Sequence, residues 1–306
     1  MANLRVSIGG VEFNNPVFVA SGTFGYGNDV SELVDVNQLG AIITKSITFH
    51  PREGNPPPRI IETPSGMLNS IGLANIGVDQ FIKEMIPYYA SLETKVIVNI
   101  AGSSMEEYLN VLEKVEKVGE NICGYEINVS CPNVDKGGME FGVDSLMTRN
   151  LTELLRKRTE KLLIVKLSPN VTDITDIAKG AKEGGADAIS AINTVIGMSI
   201  DISSRKSNLA TKFGGLSGPA IKPIGIANVH KLSSAIQIPV IGIGGITSAE
   251  DVVEYLLAGA TAVQIGTANF RDPGIGVKII AEVDAYCDSN GYYDMSELTG
   301  ALVNDS

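Results

Sequence analysis

Eight short apolar runs, separated by stretches of helical periodicity, limit what this chain can fold into more than any other feature. The runs are Val17–Ser21, Ala41–Ser46, Val96–Ala101, Tyr125–Ser130, Leu162–Leu167, Ala188–Asn193, Pro239–Gly244 and Ala262–Gly266. Several are almost continuously apolar, as parallel strands covered on both faces must be. Between them, apolar residues recur at helical spacing in Met105–Val118, Ser145–Arg158, Ile174–Glu183, Ile221–Ala235, Ser248–Leu257 and Gly276–Asp288. Asp173 and Thr247 or Ser248 stand where N-caps belong, and Gly259 where a helix ends. Ahead of the first run, Val6–Ile8 and Val11–Phe13 flank Gly9-Gly10, the pattern of a tight β-hairpin. No composition break interrupts the alternation. It predicts an α/β chain in which residues 1–306 form a single (β/α)8 TIM-barrel domain with an N-terminal hairpin. An open doubly wound sheet is the alternative.

Two connections exceed what a barrel needs. Thr48–Asn75, which contains Pro56-Pro57-Pro58 and Asn69-Ser70-Ile71-Gly72, follows the second run, and Val195–Pro219 follows the sixth. Long loops inside a compact domain are usually functional. In a barrel, the loops that follow the strands build the C-terminal face, where active sites lie.

The strand ends carry the chemistry. The second run ends Thr44-Lys45-Ser46, the third holds Asn99, the fourth holds Asn128 and leads to Cys131, the fifth holds Lys166, and the sixth ends Asn193-Thr194. One polar residue at a strand end is ordinarily just solvated; five at the same level of a barrel converge on one pocket. The seventh and eighth runs end in glycine, Ile241-Gly-Ile-Gly-Gly-Ile246 and Gln264-Ile-Gly-Thr-Ala268. Glycine there lets backbone N–H groups approach a ligand, and the loops after strands seven and eight are the usual phosphate site of such barrels. Relief of crowding in tight turns is the plainer reading of those glycines. The pocket is thus expected to hold a phosphate on one side and a planar, hydrogen-bonding ligand on the other, with Lys166 stabilising negative charge on it.

The stretch Gly124–Asn133 is the least conventional. Tyr125, Ile127 and Val129 alternate with Glu126, Asn128 and Ser130, so an acid, an amide and a hydroxyl share one face of a core strand. Buried polar groups are costly without partners, and Glu126 is expected to be buried and paired with a barrel lysine. Cys131 follows, held just before Pro132. A nucleophilic cysteine normally has a histidine beside it, and neither His50 nor His230 is an evident partner. A general base needs only a group that loses its proton, so Cys131 is read as a base and Val134–Phe141 as its lid. Cys123 and Cys287 read as small buried hydrophobes.

The net charge of -11 argues against binding nucleic acid or an anionic membrane surface. Neither a signal peptide nor a membrane span is evident, and three unpaired cysteines without a Cys-x-x-Cys motif point to a reduced, cytoplasmic protein without an iron–sulfur cluster of its own.

Taken together, Asn128-Val-Ser-Cys-Pro-Asn133, Thr44-Lys-Ser46, Asn69-Ser-Ile-Gly-Leu73, Gly214-Gly-Leu-Ser-Gly-Pro219, Ile243-Gly-Gly-Ile246 and Gln264-Ile-Gly-Thr267 resemble the class 1 dihydroorotate dehydrogenases over essentially the whole chain. That resemblance implies an FMN-containing barrel that oxidises dihydroorotate to orotate in pyrimidine synthesis. It implies Cys131 as the base at C5 while hydride leaves C6 for flavin N5. It implies FMN contacts from Ser21, Lys45, Ser46, Asn99, Asn128, Lys166, Ile192, Gly218, Gly244, Gly245, Gly266 and Thr267. Substrate contacts would come from Lys45, Asn69, Ser70, Ile71, Gly72, Leu73, Asn128, Asn133, Asn193 and Thr194. Class 2 enzymes use a serine base and an N-terminal extension, and Cys131 argues against that class. Within class 1, Ala20–Gly25 and Asp201–Pro219 look like type 1B. That type implies a homodimer core joined to an electron-transfer subunit that carries FAD and a [2Fe-2S] cluster, a heterotetramer with NAD as final acceptor. A fumarate-dependent type 1A enzyme, a flavin barrel for another pyrimidine or imide, and a non-catalytic phosphate-ligand barrel are the alternatives.

Overall fold

The computed structural model describes residues 2–130, 132–133 and 139–303, with 132, 133, 139 and 140 as backbone only. Eight parallel strands close on themselves: β1 (Val17–Val19), β2 (Ala41–Ile43), β3 (Lys95–Ile100), β4 (Ile122–Asn128), β5 (Leu162–Leu167), β6 (Ala188–Ala191), β7 (Val240–Ile243) and β8 (Ala262–Ile265). Each pairs with its neighbours in sequence, and β8 returns to β1 through Val263↔Val17 and Ile265↔Val19. This is the closed barrel, not the open sheet. Ser21, Lys45, Ser46, Asn193 and Gly244 lie just beyond the strands proper, at their C-terminal ends.

Seven helices cover the outside among the described residues: α1 (Gly77–Tyr89), α2 (Met105–Glu116), α3 (Ser145–Arg156), α4 (Ile174–Glu183), α5 (Lys222–Ala235), α6 (Ala249–Leu257) and α7 (Ile275–Asn290). Their caps follow the sequence. The Asp173 side chain accepts from Thr175 N–H, and Ser248 with Asp251 forms a reciprocal capping box. Helix α1 is not among the segments read as helical from sequence. Its buried stripe Val78, Phe81, Met85, Tyr89 has helical spacing, but Gly77 at its start and Pro87 near its end mask it. Between β1 and β2 there is no α-helix; two 3-10 turns, Asn28–Val30 and Val36–Gln38, make the crossover.

The hairpin Val6–Ile8 with Val11–Phe13 plugs the N-terminal end of the barrel. Its turn glycines both have positive φ, 56° and 79°, as the right-handed twist of a two-residue hairpin favours. A Cβ on Gly9 would lie 2.6 Å from Leu162 Cδ1 at the start of β5, so only glycine seats the turn against the barrel. Phe13 packs on Phe18 with centroids 4.8 Å apart. The closed end leaves the opposite mouth for a ligand.

The two long connections are not separate loops. Ile60–Thr63 and Gly66–Asn69 from the first join Val195–Gly197 and Gly214–Ser217 from the second in one four-stranded antiparallel sheet. No helix among the described residues is long and apolar enough to cross a membrane.

Candidate active site

Glu126 lies at the centre of the barrel floor below the strand ends. It comes from β4, and its side chain is completely buried. Asn99 of β3 donates Nδ2–H to Oε1 at 2.7 Å. On the other oxygen, Gln264 of β8 donates at 2.6 Å and Ser190 of β6 at 2.8 Å. Lys166 of β5 puts its ammonium 3.6 Å from Oε1. The buried acid therefore has its lysine partner. The same ammonium donates to Ser21 Oγ at 3.2 Å, beyond β1. Five strands, and Ser21 beyond a sixth, thus meet in one polar layer. A Gln at position 264 is legible as a strand residue, but only closure of β8 against β1 brings it across the barrel to Glu126.

Above this floor, Asn128 and Asn193 face each other. Asn193 Nδ2 donates to Asn128 Oδ1 at 3.3 Å and to Ser130 Oγ at 3.0 Å. The side-chain oxygen of Asn193 accepts from Thr194 N–H at 2.8 Å. Tyr108 of α2 donates to the Asn128 backbone oxygen at 2.5 Å, which holds the end of β4 from behind. Asn69 approaches from the four-stranded sheet, its Nδ2 3.4 Å from Gly215 O. Gly215 in turn packs on Thr194, and a Cβ there would lie 2.0 Å from Thr194 Oγ1. That close approach brings the sheet residues of the predicted substrate set to the strand-end residues. Next to Asn69, the Ser70 hydroxyl is buried without a partner among the described residues. Ile71 O accepts from Asn55 N–H at 2.9 Å, and Gly72 and Leu73 both take positive φ, 74° and 58°. A non-glycine residue in that conformation marks a tightly determined turn.

The glycines form the other wall. Gly244 and Gly245 have φ of 129° and 69°, and Gly218 has φ 91°. A Cβ on Gly245 would lie 3.0 Å from Gly218 O, so the predicted phosphate loop after β7 touches the long connection that follows β6. The hydroxyls of Thr267 and Ser217 share a hydrogen bond of 2.7 Å, tying the end of β8 to the same loop. Behind β7, Tyr255 donates to Gly244 O at 2.8 Å, and its ring leaves no room for a side chain on Gly242. Burial pushes that phenol far above its ordinary value. Gly266 differs: a Cβ there meets nothing nearer than Ala20 Cβ at 3.8 Å, so protein packing does not demand glycine at this point. Ile192 is buried beside this wall, follows a cis peptide from Ala191, and donates its N–H to Ile243 O at 3.0 Å.

Lys45 and Ser46 complete the rim after β2. Ser46 is buried and Lys45 half-buried. Burial first, then the neighbouring positive charge of Arg59, lowers the Lys45 ammonium below the ordinary lysine range. No carboxylate lies within ion-pair distance of it among the described residues, and Asp29 opposes the shift only through space. A desolvated, unpaired ammonium at a strand end is suited to an anionic ligand. Cys131 and residues 134–138 of the expected lid lie outside the described residues, as does the side chain of Asn133; the backbone of Pro132–Asn133 pairs with Met139–Glu140. Cys287 is buried, and burial raises the thiol of Cys123 to about 12. Cys287 fits the reading as a small buried hydrophobe, while Cys123 is half-buried and packs against the core.

A barrel with a plugged base, a polar floor, a lysine and three asparagines at its mouth, and a wall of touching glycine loops has the build of an enzyme that works on a ligand at the C-terminal face. The chain belongs to the dihydroorotate dehydrogenase family, whose model matches residues 3–286. It is 50% identical over 301 residues to the catalytic subunit of dihydroorotate dehydrogenase B (NAD(+)) of Geotalea uraniireducens, covering 98% of each chain. Proteins of the same description from a Thermoanaerobacter species and from Bacteroides thetaiotaomicron are 50% and 48% identical, each covering 99% of this chain. The resemblance read from the motifs therefore extends along the full length, and it falls on the NAD-linked type.

Proposed function

We propose that this chain oxidises dihydroorotate to orotate in pyrimidine biosynthesis, as the FMN-bearing catalytic subunit of a cytoplasmic, NAD-linked enzyme. The observation that carries the reading is the barrel floor: a buried acceptor, Asn99 Oδ1, without a donor among the described residues, in the same polar layer as the buried ammonium of Lys166. A flavin pyrimidine ring offers an imide N–H for the first and a site of negative charge for the second. The gap around Gly266 and the positive-φ glycines Gly218, Gly244 and Gly245 suit its phosphate tail. Ser21, Lys45, Ser46, Asn128, Ile192 and Thr267 would supply the remaining FMN contacts, one FMN to each barrel domain.

When bound, FMN supplies the acceptor for hydride from C6 of the substrate. The protein's own residues do the rest. Lys45 meets the substrate carboxylate, which relieves its unpaired charge. Asn69, Asn128, Asn133 and Asn193 hold the ring amides, each able to donate and accept. Ser70 to Leu73 and Thr194 close the pocket from the sheet side. Cys131 takes the C5 proton, which it can do as thiolate without a histidine partner.

An electron-transfer partner follows from the description shared by the relatives, catalytic subunit of an NAD(+) enzyme. We assign FAD and a [2Fe-2S] cluster to that partner and a homodimer of this chain to the core of a heterotetramer. The test uses the purified chain. It should be yellow, dihydroorotate should bleach its flavin absorbance, and NAD reduction should begin only when the partner is added. A colourless chain that takes up no FMN would return the reading to a non-catalytic phosphate-ligand barrel. Turnover with fumarate alone would make it type 1A.

A further inference from the structure

Glu126 is the one buried acid of the floor, and nothing in the proposed chemistry uses it. Donors face both of its oxygens: two amide N–H groups, a hydroxyl and an ammonium. It therefore serves as an acceptor, and an acceptor dictates how a neighbouring amide turns. Asn99 must present its NH₂ to the carboxylate, so its carbonyl oxygen points away. That oxygen is completely buried and has no partner among the described residues, and the same is true of Gln264 Oε1. Buried acceptors without donors are rare in folded proteins because each costs about 1–3 kcal/mol. Here the carboxylate imposes that cost in the same layer as Lys166.

We infer that Glu126 is a positioning residue: it locks the Asn99 amide with its carbonyl toward the cofactor pocket and sets the floor to accept a hydrogen bond from a ring N–H. This rests on the reading of the pocket as an FMN site. The ammonium of Lys166, 3.6 Å from the same carboxylate oxygen, is held in register by the same group. The selectivity that results is for a ligand with an imide N–H between carbonyls, and against one that presents only acceptors at that edge.

The test is FMN binding to the apo-protein by fluorescence quenching, with folding checked by circular dichroism. If the wild-type chain binds no FMN, the functional reading fails. Given wild-type binding, Glu126→Gln frees the Asn99 amide to turn over and should weaken FMN about tenfold, the equivalent of one buried hydrogen bond. Asn99→Asp alone sets a second carboxylate against Glu126 and should weaken it as much or more. The exchanged pair Asn99→Asp with Glu126→Gln returns one carboxylate and one amide to the contact. Position 99 then offers an acceptor whichever way it turns, and affinity should recover to within about threefold. A purely structural role predicts no such recovery. Unchanged affinity in Glu126→Gln, or an exchanged pair no better than the single variants, would overturn the assignment. Should Glu126→Gln misfold, the comparison of Asn99→Asp with the exchanged pair decides the matter in the same way.

Discussion

The carboxylate of Glu126 and the ammonium of Lys166 lie 3.6 Å apart with side-chain exposures of 0% and 6%, inside a barrel whose walls are largely aliphatic. Removing one partner of such a pair leaves the other charge buried, which typically costs about 3–5 kcal/mol. Glu126 keeps three neutral donors, so Lys166→Met should destabilise the folded chain by about 3 kcal/mol in urea titration, the lower end of that range. It should also slow flavin reduction by dihydroorotate in stopped flow. Full stability together with unchanged kinetics would rule out the pair as both anchor and charge-stabilising group.

Lys45 should show the reverse trade. Its folded-state pKa is lowered by burial, so the folded chain binds fewer protons there than the unfolded chain. By linkage, that site weakens the ligand-free protein wherever the ammonium is charged in both states. The penalty is fully present at neutral pH and is relieved only as pH rises from the lowered value toward the ordinary lysine pKa. Lys45→Met should therefore raise the melting temperature of the ligand-free chain at pH 7 while abolishing orotate binding by calorimetry. A variant that binds orotate normally would remove Lys45 from the substrate set.

At Gly215, a Cβ would fall 2.0 Å from Thr194 Oγ1, so Gly215→Ala must push the four-stranded sheet off the strand ends. Overpacking of this kind costs about 1–3 kcal/mol. The expected result is an increase in KM for dihydroorotate of about tenfold, the low-to-middle part of that range. Loss of FMN with normal KM would show that the sheet instead serves the cofactor.

Cys131→Ala should leave FMN bound and slow reductive bleaching by roughly 10²-fold or more, the usual scale of a lost general base. In the wild type the rate should rise with pH until the thiolate forms, near a pKa of about 8.5 for an unperturbed thiol. A pH-independent rate, or rapid bleaching of the alanine variant, would exclude Cys131 as the base.

The sequence alone determined the barrel and drew attention to the polar ends of its strands. Period-two and continuous apolar runs specify strands, and eight alternations with helical stretches leave few topologies. The polar strand ends Lys45, Asn99, Asn128, Lys166 and Asn193 stood out because chemistry-bearing residues rarely sit at the end of buried runs without use. Helix α1 escaped because local propensity at Gly77 and Pro87 contradicts a stripe that tertiary packing stabilises. What only the tertiary structure decided involves partners distant in sequence. Glu126 and Gln264 are 138 residues apart and Asn69 and Gly215 are 146 apart. Barrel closure and the pairing of two long connections bring them together, and neither leaves a local period in the chain. The acid in Gly124–Asn133 was visible as an anomaly. Which lysine pairs with it, and which way the amides around it must turn, depends on donors that converge from separate strands once the sheet has closed.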